Sequence, residues 1–260
     1  MLPPRVIPCL LLRNQGLVKT TRFKNPKYVG DPTNAVRIFN DKEVDELVFL
    51  DITASSEQRP PQFELLARMT SECFMPLCYG GGVRTIADMR KLFALGIEKV
   101  AVNTYAAENP DFIREAADIF GSSSVIVSID VKKPMFGKNE VVTLGAKNRT
   151  GLDPMEFAQT MEARGAGELL LNSVDRDGTM LGYDLDLIRS ISSSVDIPVV
   201  ALGGAGSVRD LGRAIREGGA SAAAAGSMFV FHGPHKAVLI TYPSPAELSA
   251  AFRESAEVPA

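Results

Sequence analysis

Pro76-Leu77-Cys78-Tyr79-Gly80-Gly81-Gly82-Val83-Arg84-Thr85 has a counterpart in Pro198-Val199-Val200-Ala201-Leu202-Gly203-Gly204-Ala205-Gly206-Ser207. Each is a short apolar run that ends in glycines and then in a hydroxyl residue suited to cap a helix. The correspondence continues downstream: Asn103-Thr104 begins 23 residues beyond Gly80, and Gly226-Ser227 begins 23 beyond Gly203. Upstream, Asp45-Glu46-Leu47-Val48-Phe49-Leu50-Asp51 echoes Gly167-Glu168-Leu169-Leu170-Leu171-Asn172-Ser173. Self-similarity at fixed offsets marks a duplicated structural unit. The chain reads as two similar halves, about 1–121 and 122–260.

Apolar runs of the same kind recur at Val6–Leu12, Leu47–Asp51, Pro76–Tyr79, Lys99–Val102, Val125–Asp130, Leu169–Asn172, Pro198–Leu202 and Ala222–Ala225. They are continuous rather than alternating, as strands buried on both faces are. Helix starts are legible at Asp31-Pro32, Thr85, Asn109-Pro110, Asp153-Pro154 and Ser207. Stops follow at Gly96, Gly121, Gly165 and Gly218-Gly219. Eight strand–helix units in 260 residues fit an α/β fold, a (β/α)8 TIM barrel made of two similar half-barrels and forming one domain over 1–260. A doubly wound sheet is the alternative, and the even spacing favours closure.

Composition narrows the function. Hydrophobic residues at 45% and charged residues at 23% describe an ordinary globular chain. A net charge of −3 argues against a nucleic-acid binder. No apolar stretch approaches the ~18 residues of a membrane span, and Met1–Arg5 does not open a signal peptide. Cys9, Cys73 and Cys78 lack metal-ligand spacing and suit reduced thiols in a cytoplasmic protein. With His232 and His235 as the two histidines, no histidine triad or multi-histidine zinc site is expected, and neither a metal nor another cofactor is implied.

Two clusters carry chemistry. Gly81 and Gly82 with Asn103 and Thr104, and Gly203 and Gly204 with Gly226 and Ser227, place glycines at strand ends before helix starts. Backbone N–H groups there can approach an anion, which the helix dipole favours. Two phosphate sites are expected; glycines that merely permit tight turns are the plainer alternative. Acids at the same strand ends point to catalysis, because that rim carries the chemistry of such barrels. Asp130, a charge at the tip of an apolar run, is the candidate general acid–base. For Asp51 and Asp175, capping of a turn is the competing explanation.

Arg5–Leu10, Lys19, Asp45–Ser55, Gly80–Gly82, Val102–Thr104, Ser128–Asp130, Gly165–Glu168, Asp175–Thr179 and Gly203–Gly206 together resemble the cyclase subunit of imidazole glycerol phosphate synthase, over nearly the whole chain. The resemblance implies a doubled half-barrel that receives ammonia along its axis from a glutaminase docked on the strand N-terminal face. It implies a phosphorylated small molecule as substrate, with a phosphate at each end. Asp177 and Gly178 would join the glycine clusters in holding it, beside a substrate loop that includes Lys19 and Asp51. A charged ammonia gate maps onto Arg5, Glu46, Lys99 and Glu168, for which unrelated surface ion pairs are the alternative.

Two departures matter. Where that family has an aspartate opposite the strand-five acid, this chain has Leu11, so the partner of Asp130 is lost. A leucine cannot move a proton, and a general acid–base group contributes ~10²–10⁴-fold, so cyclase chemistry should be severely impaired. The segment Leu12–Pro32 instead resembles a paralogous branch found with surface-polysaccharide genes. There the barrel and a glutaminase feed ammonia to an ATP-dependent sugar amidotransferase that turns an N-acetyl group into an acetamidino group. Arg13, Lys19, Arg22, Lys24 and Lys27, with no acid between Arg5 and Asp31, suit an acidic partner or a phosphate, or simply a solvated face. The expectation is an ammonia-channelling subunit of a glutamine amidotransferase in lipopolysaccharide (O-antigen) biosynthesis. The alternatives are a working histidine-biosynthesis cyclase and a non-catalytic scaffold that activates the glutaminase.

Overall fold

The continuous apolar runs form strands, and the strands form a closed ring. In the computed structural model, which describes residues 3–134, 137–233 and 235–253, these are β1 (Arg5–Arg13), β2 (Leu47–Asp51), β3 (Leu77–Gly80), β4 (Lys99–Val102), β5 (Val125–Lys132), β6 (Glu168–Ser173), β7 (Val199–Leu202) and β8 (Ala222–Ala225). Each pairs in parallel with its successor. Arg5–Pro8 of β1 then pairs with Ala222–Ala225 of β8, which closes the barrel and rules out the doubly wound sheet.

Among the described residues, eight helices of eight or more residues surround it: α1 (Pro32–Asp41), α2 (Phe63–Thr70), α3 (Ile86–Ala94), α4 (Asp111–Phe120), α5 (Pro154–Ala163), α6 (Leu185–Ser192), α7 (Val208–Arg216) and α8 (Pro245–Arg253). Four of the five expected starts are capped by their side chains; at Asn109-Pro110 the helix begins with Pro110 as the cap residue and no side-chain cap bond. Asp31 accepts the Asn34 N–H, Asp153 accepts those of Met155 and Glu156, and Ser207 forms a reciprocal capping box with Asp210. No helix among the described residues is long and apolar enough to cross a membrane.

The segment after β1 differs from the loop the sequence suggests. Gly16–Thr21 runs back against β1, with Leu11 opposite Val18, and Lys24–Gly30 returns along it. Arg22 and Phe23 make the turn with φ of 52° and 59°, the geometry of a tight hairpin but without its usual asparagine or glycine. A second extension, Glu140–Thr143, folds back antiparallel on β5.

Two apolar layers result. Phe39, Phe49, Leu66, Met69 and their neighbours fill the space between strands and helices. Ile7, Cys9, Val48, Cys78, Ala101, Ile126, Leu170 and Val200 face the barrel axis, and Cys9 is simply one of these small buried side chains. Phe49 has no exposed surface. Phe49→Ala should lower unfolding stability by about 3–5 kcal/mol, read from urea denaturation; a loss below about 1 kcal/mol would show that the outer layer repacks freely.

Candidate functional site

The two ends of the barrel carry different chemistry. At the strand starts, Arg5 begins β1, Glu46 precedes β2, Lys99 begins β4 and Glu168 begins β6. The Arg5 guanidinium donates to both Glu46 and Glu168. Lys99 Nζ donates to the same two carboxylates, at 2.9 Å from Glu46 and 3.0 Å from Glu168. The four charges thus form one alternating ring, not separate surface pairs. Glu46 and Glu168 are buried, while the two cations are partly exposed. Burial works against the Lys99 charge, but the two carboxylates outweigh it and hold its pKa above the ordinary lysine value. One step further along the axis lie Ile7, Val48, Ala101 and Leu170, all apolar.

At the strand ends a cavity of about 340 Å³ opens. Asp130 lies in it, with Asn103 Nδ2 donating to Oδ2 at 3.3 Å and Asn172 Nδ2 donating to Oδ1 at 3.2 Å. Burial pushes its pKa up to about 7; the Asn172 hydrogen bond opposes the rise and the Asp177 charge adds to it. Asn172 was not among the expected site residues. It lies directly across from Asp130 in the β5–β6 register, and its Oδ1 has no hydrogen-bond partner. The available signal was a polar residue interrupting Leu169-Leu170-Leu171 on a buried strand.

Leu11 lines the same cavity, together with Leu50 and Leu202, so part of its wall is apolar and carries no proton-transfer group. The other carboxylates of the cavity are engaged. Arg59 grips Asp51 with two 2.8 Å bonds, and Gln62 Nε2 and the Ala54 N–H add to the clamp. The turn-capping explanation for Asp51 therefore holds in large part. Asp177 accepts from Thr20 Oγ1 at 2.9 Å and from the Phe23 N–H at 3.3 Å, tying the hairpin down over the mouth. Asp175 accepts the Lys133 N–H at 2.8 Å.

Lys19 reaches inward from the hairpin and is 5% exposed. Its Nζ donates to the Cys9 carbonyl at 2.6 Å, with no carboxylate within 4.0 Å among the described residues. Burial lowers its pKa. Of the expected phosphate-site residues, Gly81, Asn103, Thr104, Asp177, Gly178, Gly203, Gly204, Gly226 and Ser227 line the cavity; Gly82 packs behind it against the Arg59 carbonyl. Asn103 and Gly226 precede short helices with matching backbones, φ −113° and ψ −84° against φ −113° and ψ −71°. The repeat is thus visible in geometry as well as sequence. Gly203 and Gly204 have φ of 91° and 116°, so their turn requires glycine whether or not an anion binds.

Because the folded chain holds the Asp130 proton more tightly than the unfolded chain does, ionising it costs stability as pH rises from 3.8 towards about 7. Asp130→Asn should therefore melt higher than the wild type at pH 8, with the gap closing by about pH 4. Parallel melting curves across that range would show instead that Asp130 titrates like a solvated acid.

The sequence profile described as "Histidine biosynthesis protein" matches residues 5–235. A Pseudomonas aeruginosa protein provisionally named imidazole glycerol phosphate synthase subunit hisF2 is 53% identical over 243 residues, which is 94% of this chain and 97% of the relative. A Leptospira borgpetersenii protein, provisionally named as subunit HisF of the same synthase, is 47% identical over 253 residues, 97% of this chain and 100% of its own. The imidazole glycerol phosphate synthase subunit HisF of Alkaliphilus metalliredigens is 45% identical over 232 residues, 89% and 92% of the two chains. The closed barrel, the duplicated strand ends and these matches agree: the chain belongs to the histidine-biosynthesis barrel family that includes the HisF subunits of imidazole glycerol phosphate synthase.

Proposed function

We propose that this chain is the ammonia-conducting barrel of a glutamine amidotransferase. A glutaminase docks at the strand starts, and ammonia enters through the ring of Arg5, Glu46, Lys99 and Glu168. The observation that carries this reading is the pairing of a complete charged ring at one end with a single unclamped carboxyl at the other. Neutral ammonia can cross the apolar stretch from Ile7 to Val200, whereas ammonium would have to shed its hydration there. Ammonia would leave past Asp130 and Leu11 and pass to an ATP-dependent sugar amidotransferase that builds acetamidino sugars for lipopolysaccharide. The hairpin's likeness to the polysaccharide-linked branch and its run of cations support that destination.

The names of the relatives support a second reading, the cyclase of histidine biosynthesis. Asp130, poised near neutral pH, suits a general acid or base. What the mouth lacks is its partner. With the phosphoribosyl-formimino substrate and saturating ammonia, turnover should fall ~10²-fold or more below that of an intact cyclase, and Leu11→Asp should raise it. Wild-type turnover comparable to an intact cyclase would replace the amidination reading with the histidine one.

Two phosphates are expected in the mouth, one at Gly81, Asn103 and Thr104 and one at Gly178, Gly204, Gly226 and Ser227, the second within reach of Lys19. Crystals soaked in phosphate, with both loops ordered and both positions empty, would refute this. Lys99→Ala leaves Glu46 and Glu168 with Arg5 alone, so ammonia transfer per glutamine hydrolysed should drop severalfold. An unchanged ratio would favour a scaffold that activates the glutaminase without conducting ammonia.

A further inference from the structure

Phe74 is 88% exposed, the most exposed of the large apolar side chains among the described residues. It lies between α2 and β3, on the strand-start end of the barrel. The strands flanking β3 are β2, which Glu46 of the ring precedes, and β4, which begins with Lys99. The residue is presented on a fixed turn. Asn40 of α1 accepts the Phe74 N–H through Oδ1 at 3.1 Å and donates through Nδ2 to the Glu72 carbonyl. Arg37 pairs with the Glu72 side chain at 2.8 Å. The backbone that presents the ring is therefore ordered before any partner arrives, which lowers the cost of using it as an interface anchor.

The charges around it say what kind of surface it fits. The segments leading from helices into strands at this end, residues 42–46, 71–76, 95–98, 121–124, 164–167, 193–198 and 217–221, carry seven aspartates and glutamates against two lysines and arginines. Of the seven, Glu46 is paired with Arg5 and Lys99, Glu72 with Arg37 and Glu217 with Arg213. Glu43, Asp45, Glu98 and Asp196 among them are exposed. A complementary surface is basic and offers an apolar pocket. Phe74 and the charged ring share the strand-start end of the barrel, linked through β3, so a partner that docks over the ring is the occupant this position selects.

We propose that Phe74 is the anchor of the glutaminase interface, seated in an apolar pocket of that partner whose rim is basic. This rests on the ammonia-conducting reading. The test is to purify the glutaminase subunits of the same organism and titrate them against the wild-type barrel, Phe74→Ala, Phe74→Asp and Glu98→Lys by calorimetry at two salt concentrations. Phe74→Ala should weaken binding about 30-fold or more and Phe74→Asp further, with melting temperatures unchanged because the ring contributes no core packing. Glu98→Lys should weaken binding less, and only at low salt. Binding of Phe74→Asp within twofold of wild type would overturn the anchor while leaving the ammonia reading intact. No binding of the wild type would overturn both. Light scattering that shows wild-type barrel pairing with itself through Phe74, with glutaminase affinity untouched by the substitution, would assign the residue to a second copy and overturn the proposal.

Discussion

Glu46 and Glu168 are buried at the foot of the barrel, where an unpaired carboxylate costs several kcal/mol. Arg5 and Lys99 each bridge both, so every carboxylate is neutralised from two sides. The arrangement works only if β1, β2, β4 and β6 start at the same height around the axis. Barrel closure, Arg5 opposite Ala222, fixes that height. Three of the charges come from the first half-barrel and one from the second, so the ring also ties the two halves together. Stability alone is a poor account of it, because desolvation offsets most of the attraction and apolar packing would serve as well. Under the ammonia-conducting proposal, an entrance that excludes water yet can open for a small neutral molecule accounts for its cost.

The mouth is governed by a different balance. Asp130 is half-buried, held by two amides and no cation, and its pKa is raised to about 7. Asp51 and Asp177 look equivalent as residues but are committed, one to Arg59 and one to the hairpin. Leu11 lines the same cavity and cannot transfer a proton. What is left is a cavity lined by Lys19, several glycines and one carboxyl whose pKa burial raises to about 7.

Much of this was legible in the sequence. Continuous apolar runs announce strands buried on both faces, and the matched Gly80 and Gly203 clusters announce the duplication, because each depends on local pattern alone. The ring was legible only through family likeness, since nothing about Arg5 or Lys99 as single residues predicts a shared partner. The hairpin after β1 was missed because Arg22 and Phe23 adopt positive φ without glycine or asparagine. That conformation is paid for by tertiary bonds, including the Arg22 N–H to the Asp177 carbonyl at 2.9 Å. Asn172 was missed because its role comes from register across β5, which no spacing within β6 reveals.

The central claim is that nitrogen travels inside the barrel. Glutamine labelled with 15N in its amide, supplied to the barrel–glutaminase complex and its acceptor enzyme in a large excess of unlabelled ammonium, tests it most directly. The account predicts a product whose new nitrogen is predominantly 15N, because ammonia released at the ring reaches the mouth without meeting solvent. A product whose label matches the bulk ammonium pool would contradict it.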